Sequence, residues 1–315
     1  VLLRYIAQTR PRVVVLVNFG YFNASMARHL KRLGGCKVLY YFPPGSWRQE
    51  PRDWSDLAAI TDCIATPFLR NAEHLRQSGA NAHWVGHPVV DELRPVTDRS
   101  AFRQGLGLPE GRPIIGLLPG SRWMERRIIG PLMTEAAVIL RAALPQTLFL
   151  WSSWPQFGRL EAWLHSRLSR AGEVVFLTES HDILKASDLV LVAMGTAALE
   201  AAAALTPMVT TYDGPRMAKW IAQKVLHQQQ RFYAMPNLLL GREVVPEIVP
   251  RHWRDQVAAS ALATAVQELL GDGHRLWAMR DDLAQVRTLL GEPGAASRTA
   301  DLIDGLIRES AVKGP

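Results

Sequence analysis

Leu117-Leu118-Pro119-Gly120-Ser121-Arg122 closes an apolar run and opens a helical pattern, and Ala193-Met194-Gly195-Thr196-Ala197-Ala198-Leu199-Glu200 does the same further along. A strand–turn–helix junction presents unpaired backbone N–H groups at the positive end of the helix dipole, which suits an anion. Two such junctions predict one pyrophosphate-bearing ligand held at paired helix N-termini. Arg122 offers a planar fork for phosphate oxygens, and Glu200, on the first turn of the second helix, a carboxylate for a ribose diol. Each junction alone has a plainer reading, a tight turn with a surface arginine or a first-turn carboxylate offsetting the dipole. Together they point to a nucleotide-sugar site. His87, before Pro88 at a strand end, has an unperturbed pKa near neutrality and so could serve as a general base, although a lone histidine is more often structural; no catalytic residue is assigned beyond this candidate. No strand ends in Asp-x-Asp and the two cysteines, Cys36 and Cys63, form no metal motif, so no metal and no cofactor are expected.

The elements that must position these residues alternate. Apolar runs Val13–Val17, Lys37–Tyr41, Asp62–Ala65 and His83–Val85 are separated by helical stretches Asn23–Leu33 and Pro67–Ser78. A second set follows: Ile114–Leu118, helix Glu125–Ala143, Thr147–Trp151, helix Leu160–Ala171, Val174–Leu177, Leu189–Ala193, helix Ala197–Ala204 and Pro207–Thr211. Such alternation predicts parallel βαβ sheets, here two Rossmann-like halves across a cleft. Arg94 to Arg112, rich in Pro, Gly and charge, marks the boundary. The expected division is an N-terminal domain over 1–112, a second parallel-sheet domain over 113–252 and a helical region over 253–315. A helical segment, Leu2 to Gln8, precedes the first strand and the first residue is Val1; since a parallel domain ordinarily begins with a strand, a preceding N-terminal segment is expected.

The chain has 315 residues, 48% of them hydrophobic and 21% charged, as in a globular protein with room for two domains. Its apolar runs are far shorter than the roughly 20 residues that span a bilayer, and nothing resembles a secretory leader. A reducing cytoplasm is the expected setting. The net charge of +7 fits an anionic lipid surface or solubility. No basic run with interleaved aromatics points to nucleic acid.

The ordered motifs resemble the lipid-A-disaccharide synthase family, inverting glycosyltransferases of the two-domain GT-B fold. They are Val85-Gly86-His87-Pro88 with Asp91, Leu117 to Arg122 with Glu125, Gly195 to Glu200, Pro207-Met208-Val209 leading to Tyr212, and Pro236-Asn237-Leu238-Leu239-Leu240-Gly241-Arg242 with Val244-Val245-Pro246-Glu247. The resemblance implies transfer of a diacylated glucosamine from UDP to a lipid monosaccharide phosphate at the cytoplasmic face of the inner membrane, without a metal. The donor half, to which the resemblance adds Tyr212, Asn237 and Arg242 as substrate-binding candidates, looks preserved. Ala218–Leu226, with Lys219, Trp220 and Lys224, reads as an amphipathic helix or a membrane-surface segment. Trp47 and Trp54 flank a charged loop that either packs or meets acyl chains.

The acceptor half departs from the pattern. Where the family reads Ile-Asp-Ala-Pro-Asp-Phe-Asn, this chain reads Val17-Asn18-Phe19-Gly20-Tyr21-Phe22-Asn23. A carboxylate there is the family's candidate base, so Asn18 and Tyr21 predict slow or absent family chemistry. Met194 replaces a serine, a tryptophan-rich loop is shortened to Pro44-Gly45-Ser46-Trp47-Arg48, and the family's first strand has no counterpart. Three functions stay open: the lipid-A-type transferase with an altered acceptor, another GT-B enzyme such as a nucleotide-sugar epimerase, and a non-catalytic UDP-sugar binder.

Overall fold

The computed structural model describes residues 1–46, 54–93, 95–212, 231–250 and 256–312. Trp47, Arg48 and the stretch 218–226 lie outside them. The chain divides into two units, Val1–Glu92 with Thr288–Pro315, and Leu93–Arg287.

Unit 1 opens with α1 (Leu2–Thr9), β1 (Val13–Val17), α2 (Gly20–Leu33) and β2 (Lys37–Tyr41). It continues with α3 (Ser55–Ile60), β3 (Cys63–Thr66), α4 (Leu69–Gln77), β4 (Ala82–Trp84) and α5 (Val89–Glu92). The four strands pair in parallel in the order β1-β2-β3-β4. Alternation along each strand sorts side chains between two faces. Leu16, Val38, Tyr40 and Ile64 pack with Ala27 and Leu30 of α2, Leu57 of α3 and Leu75 of α4. Trp54 belongs to this core at 6% exposure, so the alternative of an acyl-chain contact fails at that residue: its ring is already covered by protein.

The other face, Leu39, Cys63 and Ala65, is covered by Leu302, Ile303 and Leu306 of the last helix. The expected helical region 253–315 is therefore divided, because its final helix is needed to bury the second face of the first sheet. Its entry is fixed by the Val85–Asp91 motif. The Asp91 carboxylate accepts the N–H groups of Gly294 (2.5 Å) and Ala295 (3.2 Å). Arg298 Nε donates to Val85 O at 2.9 Å, and the His87 N–H donates to Leu290 O at 2.7 Å.

Unit 2 begins with α6 (Arg99–Gly105), capped by Asp98, inside the stretch expected as a linker. Then come β5 (Ile114–Leu118), α7 (Trp123–Ala143), β6 (Leu148–Ser152), α8 (Arg159–Leu168), β7 (Val174–Leu177), α9 (Ser180–Ala186) and β8 (Leu189–Ala193). They are followed by α10 (Thr196–Ala203), β9 (Met208–Thr211), α11 (Met235–Leu240), β10 (Glu247–Ile248), α12 (Gln256–Gly271) and α13 (Gly273–Leu290), the last crossing the unit boundary. Helix α14 (Ala295–Val312) is the one that returns to unit 1. The parallel sheet runs β10-β9-β8-β5-β6-β7. Its central strands are buried throughout, which explains their unbroken apolar runs. From β5 the chain winds outward through β6 and β7, then returns to the other side of β5 as β8. The sheet therefore reverses between β5 and β8, and ligands of open parallel sheets bind at the carboxyl ends of strands flanking such a point.

Candidate functional site

The two sequence junctions follow the two strands at that reversal. Leu118 of β5 pairs with Val192 of β8, so Gly120 and Gly195 leave neighbouring strand ends. Both glycines have positive φ, 103° and 144°, which side chains rarely adopt. At Gly120 a Cβ would also run into the Glu125 side chain. Glu125 caps α7 at its third residue, accepting the Arg122 N–H at 3.3 Å and the Arg122 guanidinium at 2.6 Å. That cap starts the helix at Trp123, two residues before the expected start.

A pocket of about 290 Å³ opens here. Gly120, Ser121, Arg122, Gly195, Thr196 and Glu200 all line it, as do Glu125 and Met194. Six of the expected binding residues thus meet around one space, with the starts of α7 and α10 at its edge. Its remaining wall includes Ser152, the last residue of β6, Trp154 just past that strand, and Ser180 at the start of α9. Sequence reasoning missed these three, although the carboxyl-end rule applied to β6 would have reached Ser152 and Trp154.

Beneath the wall lies an ion pair that sequence reasoning also missed. Arg126 is 0% exposed and Glu161 3%. Arg126 donates to Glu161 through Nε (3.1 Å) and Nη2 (2.9 Å), to Gly120 O through Nη1 (2.9 Å), and to Ser152 O through Nη2. Burial pushes the Glu161 carboxyl up, but the Trp151 indole hydrogen bond and the Arg126 charge outweigh it and hold the pKa below the usual carboxylate value.

The other expected residues are placed elsewhere. Asn237 is fully buried, with every hydrogen-bonding position taken: Nδ2 donates to Val245 O (2.8 Å) and Glu247 (2.7 Å), and Oδ1 accepts from Val244 N–H (2.6 Å) and Val245 N–H (2.9 Å). Nothing remains for a ligand, so the binding role expected of Asn237 gives way to turn-shaping. Glu247 completes that turn, accepting the N–H groups of Tyr233 and Ala234 at the start of α11. Arg242 forms a two-bond pair with Asp282, at 2.8 and 2.6 Å, so its fork is occupied rather than presented to a ligand. Tyr212 lies parallel to Tyr233, ring centroids 6.5 Å apart, and neither it nor Arg242 lines the pocket.

In unit 1, His87 is poorly suited to act as a base. Val89 N–H donates to its Nδ1 at 3.2 Å, so in the neutral ring the proton sits on Nε2, which then has no lone pair to offer. Burial lowers its pKa to about 4, and Phe42 and Phe68 flank the ring. Asn18 is exposed at the carboxyl end of β1, in the left-handed region (φ 49°). Phe19 shares that conformation (φ 48°), at a cost of about 1–3 kcal/mol for a non-glycine residue. The kink is held by Asn18 O, which accepts from Asn23 Nδ2 (2.7 Å) and the Tyr40 hydroxyl (3.0 Å). Tyr21 is fully exposed.

Two Rossmann-like units, the second with paired strand–turn–helix junctions at its sheet reversal, are the units of the GT-B fold. Known structures agree at the level of fold. A UDP-GlcNAc 2-epimerase from Neisseria meningitidis bound to UDP-GlcNAc superposes with a TM-score of 0.60 at 11% identity, over 96% of this chain and 79% of its own. Anabaena HepE in complex with UDP and glucose gives 0.54 at 12% identity, over 96% and 80%. The lipid-A-disaccharide synthetase family model matches residues 1–298. The lipid-A-disaccharide synthase of Anaeromyxobacter dehalogenans is 33% identical over 308 residues, 97% of this chain and 78% of that protein. That of Myxococcus xanthus is 33% identical over 94% and 76%. The chain belongs to the lipid-A-disaccharide synthetase family of glycosyltransferases.

Proposed function

We propose that this protein moves an acylated glucosamine from a UDP-sugar to a lipid monosaccharide phosphate, with the donor held in the unit 2 pocket. The observation that carries this reading is the meeting of Gly120-Ser121-Arg122 with Gly195-Thr196 and Glu200 around one space at the sheet reversal. The N–H groups opening α7 and α10 and the Arg122 fork would take the diphosphate, and Glu200 the ribose. Stabilising departing UDP by fixed donors and a cation replaces a metal. To do so Arg122 must turn from Glu125 toward the ligand, an exchange one exposed ion pair resists only weakly.

The acceptor must lose a proton as it attacks the anomeric carbon with inversion. Neither Asn18 nor Tyr21 supplies a carboxylate, and His87, whose Nδ1 accepts the Val89 N–H, holds its neutral proton on Nε2. This observation favours a second reading, a relative that binds UDP-sugar without turning it over. Work at an anionic membrane face fits the charge: the first 46 residues carry Arg4, Arg10, Arg12, Arg28, Lys31, Arg32 and Lys37 and no acidic residue. Leu2, Tyr5, Phe19, Tyr21 and Phe22 are exposed in the same segment. No helix among the described residues is long and apolar enough to cross a membrane.

The test is disaccharide formation from UDP-diacylglucosamine and the monosaccharide lipid phosphate. Slow turnover is expected of the unaltered protein. Asn18→Asp restores an acceptor for the proton and should raise the rate, within the roughly 10²–10⁴ that a positioned base contributes. Ordinary turnover untouched by the change would place the base elsewhere; no product from either protein would favour the non-catalytic reading.

A further inference from the structure

Trp154 is the one aromatic residue among the described residues lining the unit 2 pocket. It is partly exposed, unlike the buried Trp151 three residues before it. Its setting is fixed at three points: the backbone N–H donates to Glu161 Oε1 at 3.2 Å, the indole N–H donates to Ser152 Oγ at 3.2 Å, and the ring lies within 15° of parallel to Phe157, centroids 6.0 Å apart. Glu161 Oε1 also accepts from the Trp151 indole at 2.8 Å and lies 3.1 Å from His165 Nε2. Through Arg126, the same carboxylate is tied to the carbonyls of Gly120 and Ser152. One buried pair thus links the first junction, the end of β6 and the tryptophan. Stability alone does not account for it, since apolar residues of similar volume often serve as well as a buried ion pair.

If the junctions take diphosphate and ribose, the part of a nucleoside diphosphate left to place is its flat base. Resting on that reading of the pocket, we propose that Trp154 is the wall on which the nucleobase stacks, and that Glu161, clamped by Arg126, is the positioning residue that sets this wall against the Gly120 turn. Stacking on an indole needs only a π-face, so Trp154 supplies affinity for the nucleoside end of the ligand and none for the phosphates.

Calorimetric titration of UDP, with inorganic pyrophosphate as competitor, tests this on the full chain. Trp154→Ala should bind UDP roughly 5- to 100-fold more weakly, the range base–aromatic stacking supplies, while pyrophosphate binds as before. Trp154→Phe should recover most of the UDP affinity. Glu161→Gln should weaken UDP binding, and much less so when Trp154 is already Ala; since that variant leaves Arg126 without its partner charge, its fold is checked by circular dichroism, and the Trp154 variants decide alone if it fails. Unchanged UDP affinity in Trp154→Ala, or an equal loss of pyrophosphate, overturns the stacking role. Full independence of the Glu161 and Trp154 losses overturns the positioning role. UDP that does not bind the unaltered protein overturns the reading of the pocket itself, a result distinguishable from the other two.

Discussion

At His87 the Val89 N–H occupies one ring nitrogen and the rings of Phe42 and Phe68 flank the imidazole. Burial alone brings the pKa from 6.5 to about 4. The folded state thus refuses a proton that the unfolded chain accepts below about 6.5. Between these values the unfolded state binds more protons, so stability rises with pH and falls as pH drops from 6.5 toward 4. Denaturant unfolding at pH 7 and 4.5 should show unit 1 losing up to about 3 kcal/mol from this group. His87→Asn, which keeps an acceptor near the Val89 N–H, should lose correspondingly less over the same interval. Parallel pH curves for the two proteins would contradict the burial account. Asn18 shows a different logic. Asparagine tolerates the left-handed conformation better than most residues, so the turn survives there although the acidic function of the family's position is gone.

At the scale of elements, the sheets were legible and several contacts that organise them were not. Val13–Val17, Lys37–Tyr41, Ile114–Leu118, Val174–Leu177 and Leu189–Ala193 appear with the expected bounds; for Ile114–Leu118 and Leu189–Ala193 the unbroken apolar run reflects burial on both faces, while Val13–Val17 and Val174–Leu177 keep apolar runs as half-exposed edge strands. The two junctions were legible because glycine with a positive φ beside a helix start is a local signal. Helix α9 was missed: seven residues in a loop-like context give little periodicity. The role of Asp91 was hidden because its partners, Gly294 and Ala295, are distant in sequence, and that of Asn237 because a turn closing on Val244, Val245 and Glu247 leaves no periodic signal. A motif marks such residues as significant without distinguishing a turn from a ligand contact. The Arg126–Glu161 pair was illegible for the same reason, since a charged residue on a helix normally faces solvent. For Asp91 the structure gives a direct expectation. Asp91→Asn keeps an acceptor but weakens two charge-assisted bonds to the α14 N-terminus, which sit where the helix dipole favours a negative charge. Hydrogen exchange should quicken across α14 while unit 2 is unchanged; equal protection in both proteins would contradict the latch.

The whole molecule joins two units with different degrees of family character. Unit 2 keeps the residues expected of a donor site and gathers six of them around one pocket. Unit 1 lacks the acidic residues expected of the acceptor side, and its first 46 residues are basic and without an acidic side chain. The central claim is that unit 2 holds UDP at the paired junctions, through fixed donors and Arg122 rather than through a metal. The most direct test is calorimetric titration of UDP into the full chain in excess EDTA, with Arg122→Ala and Glu200→Gln beside it. Binding that survives the chelator, falls about tenfold or more in Arg122→Ala as expected for a charge-assisted contact, and falls less in Glu200→Gln would bear the claim out. Affinity unchanged in both variants, or abolished by the chelator, would contradict it.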